Sequence, residues 1–155
     1  GLCSFSFCDS HRAPIKGLGQ LSGFMQIRAE IVEQILGHVH GEPGKECCGL
    51  LAGRNGVIGA AFPAKNILAS ATAYEISPQE LFALFRQMRA EGLDLMGIYH
   101  SHPAGENFPS SRDIEQAYYP ASAYFILSPR TDAPHPIRAF SIVEGAVTEL
   151  EIELI

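Results

Sequence analysis

The feature that most constrains the fold is the apolar run LDLMGIYHSH at residues 93–102. A strand that is hydrophobic almost throughout is typical of the interior of a sheet that is covered on both faces. A second run of this kind, AYFILS, follows at residues 123–128. Because each face of such a sheet needs its own covering layer, the two runs predict a mixed α/β architecture.

Three stretches of the chain are predicted to be helical. Apolar residues recur at helical spacing in MQIRAEIVEQILGHVHG, residues 25–41, which predicts one amphipathic helix. The clearest helix begins at Ser77 as N-cap, with Pro78 at the first helical position and Glu80 closing a capping box. A third helix is predicted to begin in SSRDIEQAYY, residues 110–119.

Two hairpins complete the predicted secondary structure. The turn-like RNG separates two short apolar runs, residues 46–53 and 57–67, which predicts the first hairpin. The second occupies residues 137–155 and turns at Glu144 and Gly145. No internal repeat interrupts this order, so the elements are expected to form one domain.

Length and composition support a domain at residues 25–155. A chain of 155 residues, 46% apolar and 18% charged, can bury a substantial core and matches an ordinary globular protein. Residues 1–24 are rich in Gly and Ser, show no helical or strand period, and are interpreted as a flexible N-terminal extension.

Charge and cysteine usage restrict the partners and the compartment. The formal net charge of −6 argues against a nucleic-acid partner and against anionic membranes. No apolar stretch is long enough to span a bilayer, and a secretory leader is not recognisable, so we expect a cytoplasmic protein. Its four cysteines are then expected to be reduced thiols. The sequence leaves the oligomeric state open.

Two histidines are predicted to converge at the end of the first buried strand. Side chains alternate between the faces of a strand, so His100 and His102 share one face while Ser101 points away. Pro103 ends the strand and opens a loop. Ligand sites in α/β sheets commonly lie at such strand ends, so we interpret the pair as a candidate binding site.

Asp113 can complete a metal site with these histidines. A catalytic zinc takes three protein ligands from His nitrogens and carboxylate oxygens and keeps a fourth position open. Asp113 lies on the first turn of the third helix, and the loop at residues 103–109 is long enough to fold that turn over the strand end. Zinc-bound water has a pKa near 7, so this set would supply a nucleophile at neutral pH.

Glu46 and Ser110 are candidates for the remaining chemistry. Glu46 precedes an apolar strand expected in the same sheet, where its carboxylate could deprotonate a water and later protonate an amine. Ser110 could donate a hydrogen bond to the oxyanion that forms on an attacked carbonyl.

Each of these residues also has a structural interpretation. Asp113 would be favoured on a first helical turn by the helix dipole and by a capping box with Ser110. Ser110 or Ser111 would serve as a plain N-cap, and Glu46 as a surface carboxylate at a strand entrance. Two histidines at a strand end are by themselves more often hydrogen-bonded structural residues than ligands, and it is their combination with Asp113 and Glu46 that favours the ligand interpretation. The structural interpretation of Asp113 does not explain the histidines.

Other potential ligands are expected to be structural. Cys47 and Cys48 are thiols that could bind a metal, but on a small apolar strand at least one is expected to pack in the core. His38 and His40 lie at a helix end, where residues two apart diverge by about 200°, so we expect them to face solvent.

The whole pattern resembles the signature of the JAMM (MPN+) metalloproteases. Its parts are Glu46 in ECCGLLAG, HSHP at residues 100–103, and then Ser110 and Asp113 at the offsets found in that family. The resemblance covers about residues 25–155. Its closest likeness is to the small single-domain prokaryotic members, some of which act on sulfur-carrier proteins that end in diglycine.

The resemblance implies a fold, a cofactor and a set of roles. The fold is a cytidine-deaminase-like αβα sandwich with a mixed central sheet. One catalytic zinc is held by His100, His102 and Asp113, with Glu46 as acid/base and Ser110 as oxyanion stabiliser. The implied reaction is hydrolysis of an amide or isopeptide bond at the C-terminal tail of a ubiquitin-like or sulfur-carrier protein.

Two further expectations concern a second metal ion and the way in which the substrate tail binds. No Cys follows His102 and His135 stands alone, so ligands for a second, structural zinc are not expected. An extended carrier tail is expected to add to a sheet edge by main-chain hydrogen bonds. Two alternative functions stay open: a non-catalytic MPN-type scaffold, and a RadC-like zinc protein, a group linked to DNA repair, which the acidic charge disfavours.

Overall fold

The computed structural model describes residues 23–155, which contain seven strands and three helices. In chain order they are β1 (Phe24–Ile27), α1 (Ala29–Gly41), β2 (Cys48–Arg54), β3 (Val57–Ala64), α2 (Pro78–Ala90), β4 (Asp94–Ser101), α3 (Ser111–Glu115), β5 (Ala123–Leu127), β6 (Ile137–Val143) and β7 (Ala146–Leu154). The predicted extension at residues 1–24 lies outside the described residues except for its last two, and Phe24 already belongs to β1.

All of these strands join one mixed sheet in the order β1-β3-β2-β4-β5-β6-β7, which closes through the pairing of β1 with β7. β2 and β3 form the predicted first hairpin, and β6 and β7 form the second. β4 lies between antiparallel β2 and parallel β5. His100 is therefore flanked by Cys48 and Ile126, and Ile98 by Leu50 and Tyr124.

The curled sheet has a helix layer on each face. On one face α1 buries Ile31, Ile35 and Val39 in a core to which every strand contributes. On the other face α2 packs Met88 and its neighbours against β2, β4, β5 and β6, with Ile114 of α3 beside them. Apolar burial of this kind supplies the main favourable free energy of folding. The predicted αβα arrangement with a mixed central sheet is confirmed.

The turn residues of both hairpins have the backbone conformation that a two-residue turn requires. The β2–β3 turn uses Asn55 and Gly56, both with positive φ, and the β6–β7 turn uses Glu144 and Gly145 in the same way. Such two-residue turns match the twist of antiparallel strands.

The cap of α2 matches the prediction only in part. Ser77 Oγ accepts a hydrogen bond from the backbone N–H of Glu80 at 3.1 Å, as an N-cap should. The Glu80 carboxylate instead accepts the backbone N–H of Lys65 at 2.9 Å. The predicted capping box is therefore not closed, and Glu80 ties the segment after β3 to the start of α2.

One predicted helix boundary is wrong. The first helix does not begin at residue 25, because Met25 to Ile27 pair with Ile152 to Leu154 of β7 as part of β1. This difference comes from tertiary contacts, which override helical periodicity in short segments. The third helix begins at Ser111, within the predicted segment, and ends at Glu115. Within residues 23–155, none of the helices combines the length and the apolar character needed to cross a bilayer.

Candidate metal centre

Three side chains converge at the end of β4. The Nε2 atoms of His100 and His102 lie 3.1 Å apart, and Asp113 Oδ2 lies 3.2 Å from the first and 3.0 Å from the second. His100 is fully buried, whereas His102 and Asp113 are half-buried. The structure thus brings together the three residues that the sequence predicted as metal ligands.

This triangle has the dimensions of a metal site. With metal–ligand bonds of about 2.0–2.1 Å, tetrahedral zinc separates its ligand atoms by about 3.3 Å, close to the observed 3.0–3.2 Å. Two imidazole nitrogens and one carboxylate oxygen are also the donor types that zinc prefers. Among the described residues these three form the group of ligand atoms suited to an ion. The expectation of one metal ion, zinc by its ligand chemistry, is therefore supported.

Neighbouring groups hold two of the ligands in place. His102 Nδ1 lies 2.7 Å from the carbonyl oxygen of Glu106, so this nitrogen carries the proton and Nε2 is left with its lone pair for a metal. Asp113 Oδ2 accepts the backbone N–H of Ser110 at 2.9 Å, and Ser110 Oγ accepts the N–H of Asp113 at 3.1 Å. The capping box and the metal-ligand position of Asp113 thus coexist.

Burial and hydrogen bonding set the protonation states of the ligands. Burial lowers the pKa of His100, which favours the neutral imidazole that a metal requires. Burial works in the same direction on His102, but hydrogen bonds with Asp113 and the Glu106 carbonyl outweigh it and raise its pKa. Burial opposes ionisation of Asp113, yet hydrogen bonds with both histidines hold its pKa well below the usual range.

Glu46 lies two residues before β2. Cys48 pairs with His100, and the Cys47 carbonyl accepts the Ser101 N–H at 3.0 Å, so the same register brings Glu46 alongside His102. Its side chain is 4% exposed, and Oε1 has no hydrogen-bond partner within residues 23–155. Burial raises its pKa to about 7. A buried, unpaired carboxyl is costly for stability, and such groups cluster at functional sites.

Residues expected to be structural divide into two groups. Cys47 and Cys48 are free thiols buried in the core, as predicted. The expectation for His38 is wrong, because its Nδ1 lies 2.7 Å from the hydroxyl of buried Tyr99 and its Nε2 lies 3.1 Å from Glu42. That interaction fastens the end of α1 to β4 on the face opposite the candidate metal centre.

Two residues near the site have no clear signal in the sequence. The Tyr74 ring stacks on the His100 ring, with centroids 4.5 Å apart and planes inclined by 25°. Buried Asn66 donates from Nδ2 to the carbonyl oxygens of Glu46 and Ala73, both at 2.9 Å. Asn66 therefore links the strand entrance that carries Glu46 to the loop that carries Tyr74. Contacts of this kind depend on tertiary packing and leave no periodic pattern.

The fold and the site together define a class of protein. A His, His, carboxylate triangle at the end of a buried strand, beside a buried carboxyl of raised pKa, is the arrangement of a single-metal hydrolase. Residues 28–143 match the family described as prokaryotic homologs of the JAB domain, and the chain belongs to that family. The predicted relationship to small prokaryotic JAMM-type metallopeptidases is confirmed.

Three relatives have names of enzymes, two of them a peptidase and a probable protease. The chain is 36% identical over 115 residues to a desampylase of Haloferax volcanii, covering 70% of this chain and 83% of the relative. It is 34% identical over 131 residues to a CysO-cysteine peptidase of Mycobacterium tuberculosis, covering 83% and 90%. A probable TtuB-protein conjugate cleaving protease of Thermus thermophilus is 37% identical over 123 residues, covering 79% and 78%.

Solved structures share the fold. A protein of Desulfitobacterium hafniense superposes with a TM-score of 0.75 at 30% identity, covering 85% of this chain and 93% of that protein. A structure described as a JAMM metalloprotease-like zinc site in the proteasome and signalosome superposes with a TM-score of 0.55 at 18% identity, covering 84% and 98%. At that identity the second likeness shows the fold alone.

Proposed function

We propose that this protein is a zinc-dependent metallo-isopeptidase that hydrolyses an amide bond at the C-terminal tail of a ubiquitin-like or sulfur-carrier protein. The observation that carries the proposal is the triangle of His100 Nε2, His102 Nε2 and Asp113 Oδ2 beside the buried, unpaired carboxyl of Glu46. The names of the desampylase and of the CysO-cysteine peptidase supply the substrate class.

In this proposal His100, His102 and Asp113 hold the zinc within a domain spanning residues 25–155. Zinc, when bound, makes hydroxide available near neutral pH and polarises the attacked carbonyl. Glu106 and Ser110 keep two of the ligands oriented through the contacts described above. These contacts matter for catalysis, because small displacements of reacting groups reduce rates strongly.

Glu46 acts as the acid/base. Its carboxylate accepts a proton from the attacking water and delivers that proton to the leaving nitrogen, so the group ends the cycle as it began. In the metal-free protein burial raises the pKa of this carboxyl to about 7, and burial of this kind is how a carboxyl is brought towards the neutral range in which acid/base catalysis is most effective. The absence of a partner on Oε1 among the described residues leaves this oxygen available for the proton.

Ser110 acts as the oxyanion stabiliser. Its oxygen already accepts the Asp113 N–H, and its own hydroxyl proton is available for donation. The residue is exposed at the mouth of the site, where an entering carbonyl could accept that proton. Donors of this kind stabilise charge that develops only in the transition state.

We also propose a cytoplasmic location. Cys47 and Cys48 are adjacent, buried and free, as expected in a reducing compartment. A scaffold role without catalysis would give no reason to bury the Glu46 carboxyl unpaired. A RadC-like role in DNA repair would call for a basic surface, which a net charge of −6 does not favour.

The test uses purified, zinc-loaded protein and two substrates: the CysO–cysteine adduct, taken from the name of the mycobacterial relative, and diubiquitin. Mass spectrometry should detect release of cysteine from the adduct, with little cleavage of diubiquitin. Glu46→Gln with stoichiometric zinc is the control and should release nothing. If neither substrate is cleaved by zinc-loaded wild type, the isopeptidase proposal fails; preferential cleavage of diubiquitin would overturn the carrier assignment.

A further inference from the structure

A second cavity opens on the same face of the sheet as the metal centre. It encloses about 380 Å³, within the range of sites that accept a side chain or a small ligand. Its floor includes Leu50, Ile98 and Tyr124, which lie side by side on β2, β4 and β5. Tyr74 and the exposed Tyr118 also line it. The lining is mainly apolar and aromatic, with Glu75 as its one carboxylate.

The cavity adjoins the metal centre at Tyr74. The ring of this tyrosine stacks on His100 and also lines the cavity. His100 and Ile98 are two residues apart on β4, so their side chains share a face of the sheet. At about 3.3 Å per residue, the cavity floor lies about 7 Å along the strand from the row that holds His100. Two residues of extended peptide cover that distance.

The strands next to His100 do not offer a free edge for a substrate tail. β4 is hydrogen-bonded to β2 over Cys48 to Gly53 on one side, and to β5 over Gly97 to Ser101 on the other. The expected addition of the tail to a sheet edge therefore has no place at β4 itself. A tail that reaches the metal centre must be recognised at this point by side chains and loops on the sheet face.

We infer that this cavity is a specificity pocket for the substrate tail and takes a large aliphatic or aromatic side chain from the third residue before the cleaved bond. The inference rests on the proposed function. The two intervening residues span the 7 Å from the metal centre, and the third directs its side chain between Tyr74 and Tyr118. An acidic side chain is disfavoured there by Glu75 and by the negative charge of the protein.

The occupant belongs to the acyl side of the cleaved bond, the side that carries the carrier protein. The names of two relatives join different groups to the carrier, since one is a CysO-cysteine peptidase and the other a probable TtuB-protein conjugate cleaving protease. In the proposed reaction the carrier side of the bond is therefore the constant part of the substrate, and the group beyond the bond varies. The floor of the pocket is built from the buried strand residues Leu50, Ile98 and Tyr124, so it suits the part of the substrate that does not change.

The test measures binding separately from hydrolysis. The probes are the peptides acetyl-Ala-Ala-Xaa-Gly-Gly-Ala-amide, in which Xaa is Leu, Phe, Ala or Asp and the bond after the second Gly is the one to be cleaved. Calorimetry with zinc-loaded Glu46→Gln gives each dissociation constant, and mass spectrometry with wild type gives each rate. We expect Leu and Phe peptides to bind about 10- to 100-fold more tightly than the Ala peptide, and the Asp peptide most weakly.

Variants locate the preference in the pocket. Ile76→Ala with Tyr118→Ala, in the Glu46→Gln background, removes apolar lining and should reduce the Leu/Ala ratio to less than about threefold. Tyr118→Ala alone, at a residue that is 72% exposed, gives a smaller loss and serves if the double variant unfolds. Phe82→Ala is the matched control, because Phe82 is an exposed aromatic residue outside the pocket and its loss should leave the ratio unchanged.

Equal binding of the Leu and Ala peptides would overturn the inference, and so would a Leu/Ala ratio that survives in the Ile76/Tyr118 variants. The two proposals can fail separately. If the binding preference depends on these residues but zinc-loaded wild type hydrolyses neither the peptides nor the CysO–cysteine adduct, the pocket is supported and the proposed function is overturned.

Discussion

Replacing Glu46 with glutamine should stabilise the metal-free protein at the same time as it removes activity. The buried Glu46 carboxyl has its pKa raised from 4.5 to about 7, which means that folding disfavours its ionised form. Gln has nearly the same shape but cannot ionise. Burial of the ionised carboxylate lowers the free energy of unfolding of wild type, and the Gln variant does not have this loss.

The size of the effect follows from the pKa. An ionised acid whose pKa is higher in the folded than in the unfolded state lowers the free energy of unfolding by about 1.4 kcal/mol for each unit of difference between the two pKa values. For Glu46 at full ionisation this amounts to about 3 kcal/mol. Since the folded pKa is the higher one, the penalty is complete above about pH 7 and disappears as the pH falls below 4.5. For a chain of this length, 3 kcal/mol corresponds to about 6–12 °C in Tm.

The assay is urea denaturation of both proteins with EDTA present, at pH 8 and at pH 5. The difference in the free energy of unfolding between variant and wild type should be about 2–3 kcal/mol larger at pH 8 than at pH 5. Using this difference removes any constant cost of burying the Gln amide, since that cost does not depend on pH. A difference that is the same at both pH values would refute the buried, unpaired state of Glu46.

Three further substitutions test other parts of the account. His100→Ala should abolish stoichiometric zinc binding, measured by mass spectrometry of metal content, because it removes one ligand of three; retention of one zinc per chain would contradict the assignment. Ser110→Ala should lower kcat by about 10²–10³-fold, as expected for loss of an oxyanion donor, and should destabilise the protein by about 1 kcal/mol through the lost N-cap. Ser110→Thr should restore both kcat and stability. A normal kcat in the Ala variant would show that Ser110 is a helix cap and not an oxyanion donor. Gly49→Ala should destabilise by at least about 1–3 kcal/mol in thermal unfolding, because its Cβ would lie 2.4 Å from Tyr99 Cε2 and 2.6 Å from the Phe62 carbonyl oxygen; an unchanged Tm would show that the sheet yields at this point.

The triangle of candidate metal ligands was predictable because its signal is local. His100 and His102 share a strand face by simple alternation, and Asp113 follows within one loop and one helical turn. The buried strands and the layers that cover them were likewise readable from apolar runs. Predicting that Glu46 lies near the histidines required one further assumption, that the strand after it lies next to β4. The register of Cys48 with His100 confirms this neighbourhood.

Features that depend on distant parts of the chain were not predictable. β1 exists because its backbone pairs with β7, more than a hundred residues away, although its sequence continues a helical pattern. His38 is held by Tyr99 and Tyr74 lies against His100 only after the sheet has assembled. The tyrosine-lined cavity combines residues of three strands, helix α2 and two loops, so no single segment of the sequence predicts it.

The central claim is that two imidazoles and one carboxylate bind a single zinc ion. Diffraction from crystals of zinc-loaded protein, recorded on either side of the zinc absorption edge, tests it most directly. One anomalous peak is expected, at about 2.0–2.2 Å from His100 Nε2, His102 Nε2 and an Asp113 carboxylate oxygen. A peak elsewhere on the protein, or no peak at fully loaded zinc concentrations, would contradict it.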